Sequence, residues 1–335
     1  MRAAVFKGAG APLSIERVAD PEPGPGEAVI KVGRCGICGS DIHMTSGHGA
    51  DYPAGTILGH EYAGEVVALG RGVTSLEPGD RVTAMPAAGC GHCAACIAGY
   101  PLGCARMAGM IGGFGEYLRI AASGAVKLPA SLSLADGALV EPLAVGLRGV
   151  RLAGIAPGAR VLVLGAGSVG LASVYWVRLL GAGRVIAASP SLRRRALALA
   201  MGADGFETLG EGEAERIADA LGGPPDIVLE CAGAVGLLQK SVDLVRPDGM
   251  IVSLGFCSRP DPIVPALATW KQVTIKFSFA YALAEFRHGA DALDRGHVEP
   301  RQMISETVGL DALPAMFEAI RAGAAHTKVQ VDPWI

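Results

Sequence analysis

Val161-Leu162-Val163-Leu164-Gly165-Ala166-Gly167-Ser168-Val169-Gly170 is the stretch on which the reading of this chain turns. Four apolar residues suited to a buried strand run into a G-x-G-x-x-G turn, and an apolar helical stretch, Val169 to Leu180, follows. That context is what a dinucleotide fingerprint requires. Gly165 permits the tight turn, Gly167 lets the backbone approach a pyrophosphate, and Gly170 lets the helix pack on the strand. Phosphate oxygens would meet the free N–H groups of Gly167, Ser168 and Val169 at the positive end of that helix. A bare glycine-rich turn between two core elements is the competing explanation, and the sequence on either side argues against it.

Downstream, Val185 to Ala188, Ile227 to Glu230 and Ile251 to Leu254 read as further strands. Between them Leu192 to Met201 and Val235 to Leu244 have helical periodicity. Strand and helix in alternation imply a parallel sheet covered on both faces. Upstream the character differs: Ala3 to Phe6, Ala28 to Val32, Glu65 to Leu69 and Arg81 to Ala84 are short apolar runs separated by turns such as Pro21 to Gly26 and Glu77 to Asp80. The first third is therefore expected to be mostly β, with a helix over Leu143 to Leu152 leading into the α/β series. After Phe277 the pattern is mixed, with a helix expected over Leu313 to Ala322 and a closing strand over Lys328 to Val331.

At 335 residues the chain has room for about two domains. Its 48 glycines stand well above the roughly 7% of an average protein and fit a turn-rich globular chain. A net charge of -3 gives no electrostatic reason to expect nucleic acid or an anionic membrane as a partner. Val161 to Val177 is uncharged, but its three glycines and its length fit a strand and helix better than a span of ~20 residues. Met1 to Gly10 has no apolar run suited to a signal peptide, so a cytoplasmic location is expected.

The eight cysteines are not distributed like a disulfide framework. Cys90, Cys93, Cys96 and Cys104 form C-x2-C-x2-C-x7-C amid Gly89, Gly91, Gly99 and Gly103. Four thiolates from one loop can close a tetrahedron around zinc and leave no position for water, the signature of a structural site. An iron–sulfur cluster or four unligated cysteines are the alternatives. A second set is open: Cys38, within Cys35 to His43 (CGICGSDIH), together with His60 and Glu61. One thiolate, one imidazole and one carboxylate leave zinc a position for substrate, as Lewis-acid catalysis needs. Cys35, Cys231 and Cys257 read as small buried apolar residues.

In the order CGICGSDIH (35–43), GHE (59–61), the four-cysteine loop, Glu141-Pro142-Leu143-Ala144 and GAGSVG (165–170), the chain resembles the zinc-containing alcohol, polyol and threonine dehydrogenase branch of the medium-chain dehydrogenase/reductases. The resemblance covers essentially the full length. It implies a GroES-like β-rich catalytic domain over 1–145 and 278–335, holding two zinc ions, and a Rossmann dinucleotide-binding domain over 146–277. It further implies reversible hydride transfer between an alcohol and a nicotinamide cofactor, and a homo-oligomer, dimer or tetramer. By the same resemblance Cys38 and His60 are catalytic zinc ligands, and Glu61 and Glu141 either ligate the metal or stand beside it. Asp41 would accept the free ring N–H of His60, although a helix-capping aspartate is an alternative. Ser40 would relay the alcohol proton and His43 pass it toward solvent.

An inactive relative on the same fold would lack these ligands, and a zinc-ribbon interaction module would want a basic face. Polyol or threonine dehydrogenase is the main alternative to a secondary-alcohol enzyme. Met44, Tyr52, Trp270 and Phe277 are candidate pocket residues, with core packing the competing expectation for each. Phe277 also stands where the family often has glycine. At the end of the second Rossmann strand, where an acidic residue would bind both ribose hydroxyls of NAD, this chain has Ser189, followed by Arg193 and Arg194. Serine and guanidinium groups suit a 2′-phosphate, so NADP(H) is expected over NAD(H).

Overall fold

The computed structural model describes residues 1–47 and 52–335, which form two compact units, one of Met1–Glu141 with Tyr281–Ile335 and one of Pro142–Ala280. The helix Leu134–Ala153 carries the chain across the first division, and Ala280, at φ 51°, ends the second unit.

The first unit is built on a seven-stranded sheet. Its central strand, Glu27–Gly36, pairs antiparallel with Glu61–Leu69, with Tyr117–Ala121 and with the late strand Lys328–Asp332. Alternate residues Ala28, Ile30 and Val32 of the central strand are fully buried, and join Phe6, Leu58, Tyr62, Phe114 and Phe317 in one apolar core. The pairing sets Gly36 opposite both Glu61 and Gln330, so the end of the central strand lies between two neighbours that carry polar buried groups.

The second unit is a six-stranded, all-parallel sheet. Its strands run in the order Gly205–Thr208, Arg184–Ser189, Arg160–Leu164, Ile227–Glu230, Met250–Ser253, Thr274–Phe277. Strand order reverses beside Arg160–Leu164, the first strand of the series, which places a topological switch point at the carboxyl end of that strand. Val161 to Leu164 are fully buried, as a parallel sheet covered on both faces demands.

Several elements differ from the sequence expectation. The helix expected over Leu143 to Leu152 begins at Leu134, where Ser133 and Asp136 exchange hydrogen bonds of 2.8 to 3.1 Å across its first turn. Pro142, immediately before the expected start, lies inside that helix. The arginine-rich stretch is split: Leu192–Arg194 is a 3-10 turn, and the helix is Arg195–Ala200. Two edge strands, Gly205–Thr208 and Thr274–Phe277, and the helices Glu213–Leu221 and Leu283–Asp294 add to the expected series. Trp270 and Phe277 are not core residues: Trp270, on the helix Pro265–Lys271, is 84% exposed, and Phe277, at the end of the edge strand Thr274–Phe277, is 71% exposed. Cys257 is half-buried near the surface, hydrogen-bonded to the Arg259 carbonyl, whereas Cys35 is fully buried.

Candidate active site

At the end of the central strand the chain turns through Ile37 and Cys38 into the short helix Gly39–His43. Asp41 does two things there. Its Oδ2 accepts the Cys38 backbone N–H at 2.9 Å, closing the first turn, and its Oδ1 lies 3.2 Å from His60 Nδ1. The capping and histidine-orienting possibilities are therefore not exclusive. With Nδ1–H directed at a buried carboxylate, Nε2 is left as the electron-pair donor. Nε2 faces Ser40, whose Oγ is 3.5 Å away.

Cys38, His60 and Glu61 bring one ligand atom each to within 4.8 Å of one another. Asp41 and Glu61 are fully buried, and Glu141 nearly so. Burial opposes charging of the His60 ring, but the Asp41 carboxylate and Cys38 outweigh it and hold His60 well above the usual histidine range. Burial also pushes the Glu141 carboxyl up to about 7, with His60, Glu61, Lys328 and the Tyr281 hydroxyl as neighbours. Acidic groups and a thiol gathered away from water are unfavourable unless a cation compensates them. The donor set of thiolate, imidazole and carboxylate is the chemistry that zinc takes in catalytic sites, and these residues fit such an ion.

One residue of this centre escapes the sequence reading. Lys328 is 1% exposed, and its Nζ donates to both carboxylate oxygens of Glu61 at 2.6 Å and to the Ile37 carbonyl at 3.1 Å. Burial works against charging this amine, but Glu61 more than restores it. A lysine heading a closing strand of otherwise buried residues is the signal that could have found it, since lysine is almost never buried without a partner.

His43, one turn beyond Ser40, lines a cavity of about 530 Å³ together with Ile42, Ser46, Glu318 and Arg321. Arg321 braces the helix from outside, donating to the Ile42 carbonyl at 3.1 Å and to Thr45 Oγ1 at 2.9 Å. Met44 and Tyr52 are half-buried beside this helix, with Tyr52 N bonded to the Met44 carbonyl at 3.0 Å.

Cys90, Cys93, Cys96 and Cys104 also bring their sulfurs within 4.8 Å of one another. Cys93 and Cys96 sulfurs are 3.5 Å apart, and Cys90 and Cys96 4.0 Å. A regular tetrahedron with zinc–sulfur bonds of about 2.3 Å has edges of about 3.8 Å, so four thiolates here fit one zinc. Backbone N–H groups of His92 and Cys93 bring the Cys90 thiol down to about 5. At Cys96 the Gly91 N–H is outweighed by desolvation and the neighbouring sulfurs, which push it up to about 11. Gly89 is required beside them, since a Cβ there would stand 2.4 Å from Cys96 Sγ.

In the second unit, Gly165 takes φ +100° at the end of Arg160–Leu164, and Gly167 caps the helix Ser168–Leu179. A Cβ on Gly170 would stand 1.8 Å from the Gly165 carbonyl oxygen, so only glycine lets the helix pack this closely. Ser168 and Val169 are half-buried in its first turn. Ser189 ends the adjacent strand, also half-buried, while Arg193 is exposed. Arg194 folds back onto the turn, its Nη1 donating to the Ala166 carbonyl at 3.0 Å. Burial, and then the neighbouring Arg193, pull the Arg194 guanidinium below its usual range.

Comparison with known proteins agrees with this geometry. Residues 24–130 match the alcohol dehydrogenase GroES-like domain family, and residues 168–295 the zinc-binding dehydrogenase family. The chain is 34% identical to the sorbitol dehydrogenase of Ovis aries over 334 residues, 96% of this chain and 94% of that protein. This chain is a zinc-dependent medium-chain dehydrogenase/reductase. Among solved structures, the fold superimposes on the dehydrogenase rspB of Escherichia coli CFT073 bound to NADH, with a TM-score of 0.90, 28% identity and 99% of each chain covered. It also superimposes on a zinc-binding dehydrogenase of Sinorhizobium meliloti 1021 bound to NADP, with a TM-score of 0.88, 34% identity and again 99% of each chain. Membership makes this medium-chain dehydrogenase/reductase a zinc-dependent oxidoreductase that transfers hydride between an alcohol and a nicotinamide cofactor. Among the described residues no helix is long and apolar enough to cross a membrane.

Proposed function

We propose that this enzyme is an NADP(H)-preferring dehydrogenase of secondary alcohols of the polyol type, carrying one catalytic and one structural zinc. The observation that carries the reading is the convergence of Cys38, His60 and Glu61 beside a His60 ring oriented by Asp41. Cys38 and His60 hold the catalytic zinc, with Glu61 and Glu141 as its neighbouring carboxylates. Bound there, zinc supplies Lewis-acid polarisation of the substrate oxygen. Ser40 accepts the alcohol proton, and His43, on the same helix and lining the cavity, passes it to water. Cys90, Cys93, Cys96 and Cys104 hold the structural zinc.

Gly165, Gly167, Ser168, Val169 and Gly170 receive the pyrophosphate in the second unit. Ser189 removes the carboxylate that would repel a 2′-phosphate, and the adjacent Arg193 and Arg194 supply its counter-charge. The polyol class is supported by the likeness to sorbitol dehydrogenase, the cofactor by the likeness to an NADP-bound structure. A cytoplasmic setting accords with eight free cysteines. Self-association accords with the strand Thr274–Phe277 standing last in its sheet with Phe277 exposed, and with the exposed Trp270 and Phe279 near it in sequence.

The test is kcat/KM for NADP and NAD across sorbitol, xylitol, butanediol and threonine. Wild type is expected to favour NADP with a polyol, Ser189→Asp to reverse the cofactor order, and Arg194→Ala to lose NADP efficiency by about tenfold or more. A wild type that prefers NAD, or an Arg194→Ala with unchanged NADP kinetics, would remove the phosphate pocket from this reading.

A further inference from the structure

The helix Gly39–His43 carries Ser40 and His43, and at five residues it is too short to hold itself. Its amino end is closed from within, by the Asp41 carboxylate on the Cys38 N–H. Its carboxyl end depends on a residue from far along the chain. The Asp41 carbonyl accepts the Thr45 hydroxyl at 2.7 Å, and the Ile42 carbonyl accepts Nη1 of Arg321, 279 positions later, at 3.1 Å. Arg321 Nη2 donates in turn to Thr45 Oγ1 at 2.9 Å. One guanidinium thus secures two successive carbonyls, one directly and one through Thr45. The guanidinium is itself fixed: its Nε donates to Glu318 at 3.1 Å, and its carbon lies 5.4 Å from the centre of the fully buried Phe317 ring. A rigid planar fork suits three acceptors set in fixed directions.

We propose that Arg321 is a positioning residue for His43, acting through the Ile42–His43 peptide. The inference rests on the reading of Ser40 and His43 as the proton path. The Ile42 carbonyl and the His43 N–H belong to one rigid peptide plane, so a donor locked on that oxygen also fixes the plane from which the imidazole hangs. His43 and Arg321 line the same cavity. Without the guanidinium the last turn is free to fray into that space, and the imidazole spends less time in line with Ser40. Ser40 lies nearer the end that Asp41 closes and keeps its place beside His60. The loss is therefore bounded by what His43 itself contributes.

The experiment uses the full-length zinc-loaded enzyme with whichever of sorbitol, xylitol, butanediol and threonine the wild type oxidises fastest. Arg321→Met, which keeps an apolar stem over Phe317, should lower kcat about fivefold and raise the solvent deuterium isotope effect on kcat. Zinc content and the KM for the nicotinamide cofactor should not move. Thr45→Val, which breaks the indirect link, should act in the same direction by about twofold. In the His43→Ala background neither change should slow the enzyme further, since residues that act as one unit are not additive. A folded Arg321→Met with wild-type kcat and isotope effect, or one whose fivefold loss persists in full alongside His43→Ala, would overturn the proposal. If Arg321→Met does not fold, Thr45→Val decides by the same cycle: a loss that vanishes with His43→Ala upholds it, and an undiminished loss or none refutes it. A His43→Ala enzyme with wild-type turnover would instead sink the proton path on which the inference stands.

Discussion

The four-cysteine loop and the Cys38 centre are both fit for zinc, but they are assembled in opposite ways. The loop draws its sulfurs from fifteen consecutive residues, Cys90 to Cys104, with the Cys90 and Arg106 N–H groups donating to Cys104 Sγ and Gly89 set close against Cys96 Sγ. The other centre draws on Cys38, His60, Glu61, Glu141 and Lys328, residues brought together by sheet register and by the helix Leu134–Ala153. A local site closes on itself with four identical ligands and has nothing left to react. A site gathered from distant segments can mix donor types, carry a surplus charge and a counter-cation, and so keep a place for substrate.

Paired substitutions give the sharpest break between the two. Cys38→Ser should lower turnover by about 10³-fold or more, the several kcal/mol that a Lewis acid supplies, while the melting temperature changes little. Cys96→Ser should lose the other zinc and melt several degrees lower, with kcat changed far less than in Cys38→Ser. Elemental analysis and thermal melts of both variants check this. If each costs activity and stability alike, the division of roles fails.

Within the open centre the next effect is smaller. Ser40→Ala should reduce kcat by about 10²-fold, and His43→Ala by about tenfold at most, because water in the adjoining cavity can replace the imidazole but not the hydroxyl beside His60. Full pH–rate profiles would show it, and wild-type profiles for both variants would end the relay.

A control outside both centres sets the baseline for stability. Asp226 accepts hydrogen bonds from the Arg160 side chain and backbone and from Arg246, and these hold its carboxyl well below the usual range. A depressed folded value means the contribution is fully present above the unfolded pKa of about 4 and is lost as pH falls through the folded value. Asp226→Asn should therefore cost about 1–3 kcal/mol in urea denaturation at pH 7, and progressively less below pH 4, with metal content untouched. Equal stability at pH 7 would show that the ion cluster contributes nothing.

How far each region could be read from sequence follows the same contrast. Cys90 to Cys104 and Gly165 to Gly170 are contiguous, so spacing alone carries their geometry. Cys38, His60 and Glu61 required family resemblance to be joined, because nothing in the run of residues says that Gly36 will lie opposite Glu61. Lys328 was invisible for the same reason: its partner is 267 residues away. The strands Gly205–Thr208 and Thr274–Phe277 lie at sheet edges, where half-exposed, mixed residues blur the buried pattern of the inner strands. The helix Glu213–Leu221, by contrast, did carry a signal in Ile217 and Leu221, four residues apart and both buried.

The position of Lys328–Asp332 between Ile304–Gly309 and Glu27–Gly36 bears on how the chain is made. The parallel-sheet unit is one continuous segment, 142–280, and has all of its strands once that segment has been synthesised. The first unit, although its strands emerge earlier, lacks a partner for the Cys35–Gly36 end of its central strand until residues 328–332 follow. Synthesis thus reverses the usual amino-terminal-first order of domain completion. For most of translation the nascent chain carries an unzipped sheet edge and a Glu61 without its ammonium. Ribosome-bound chains halted between residues 300 and 328 should accordingly be protease-sensitive in the first unit while the second already resists digestion.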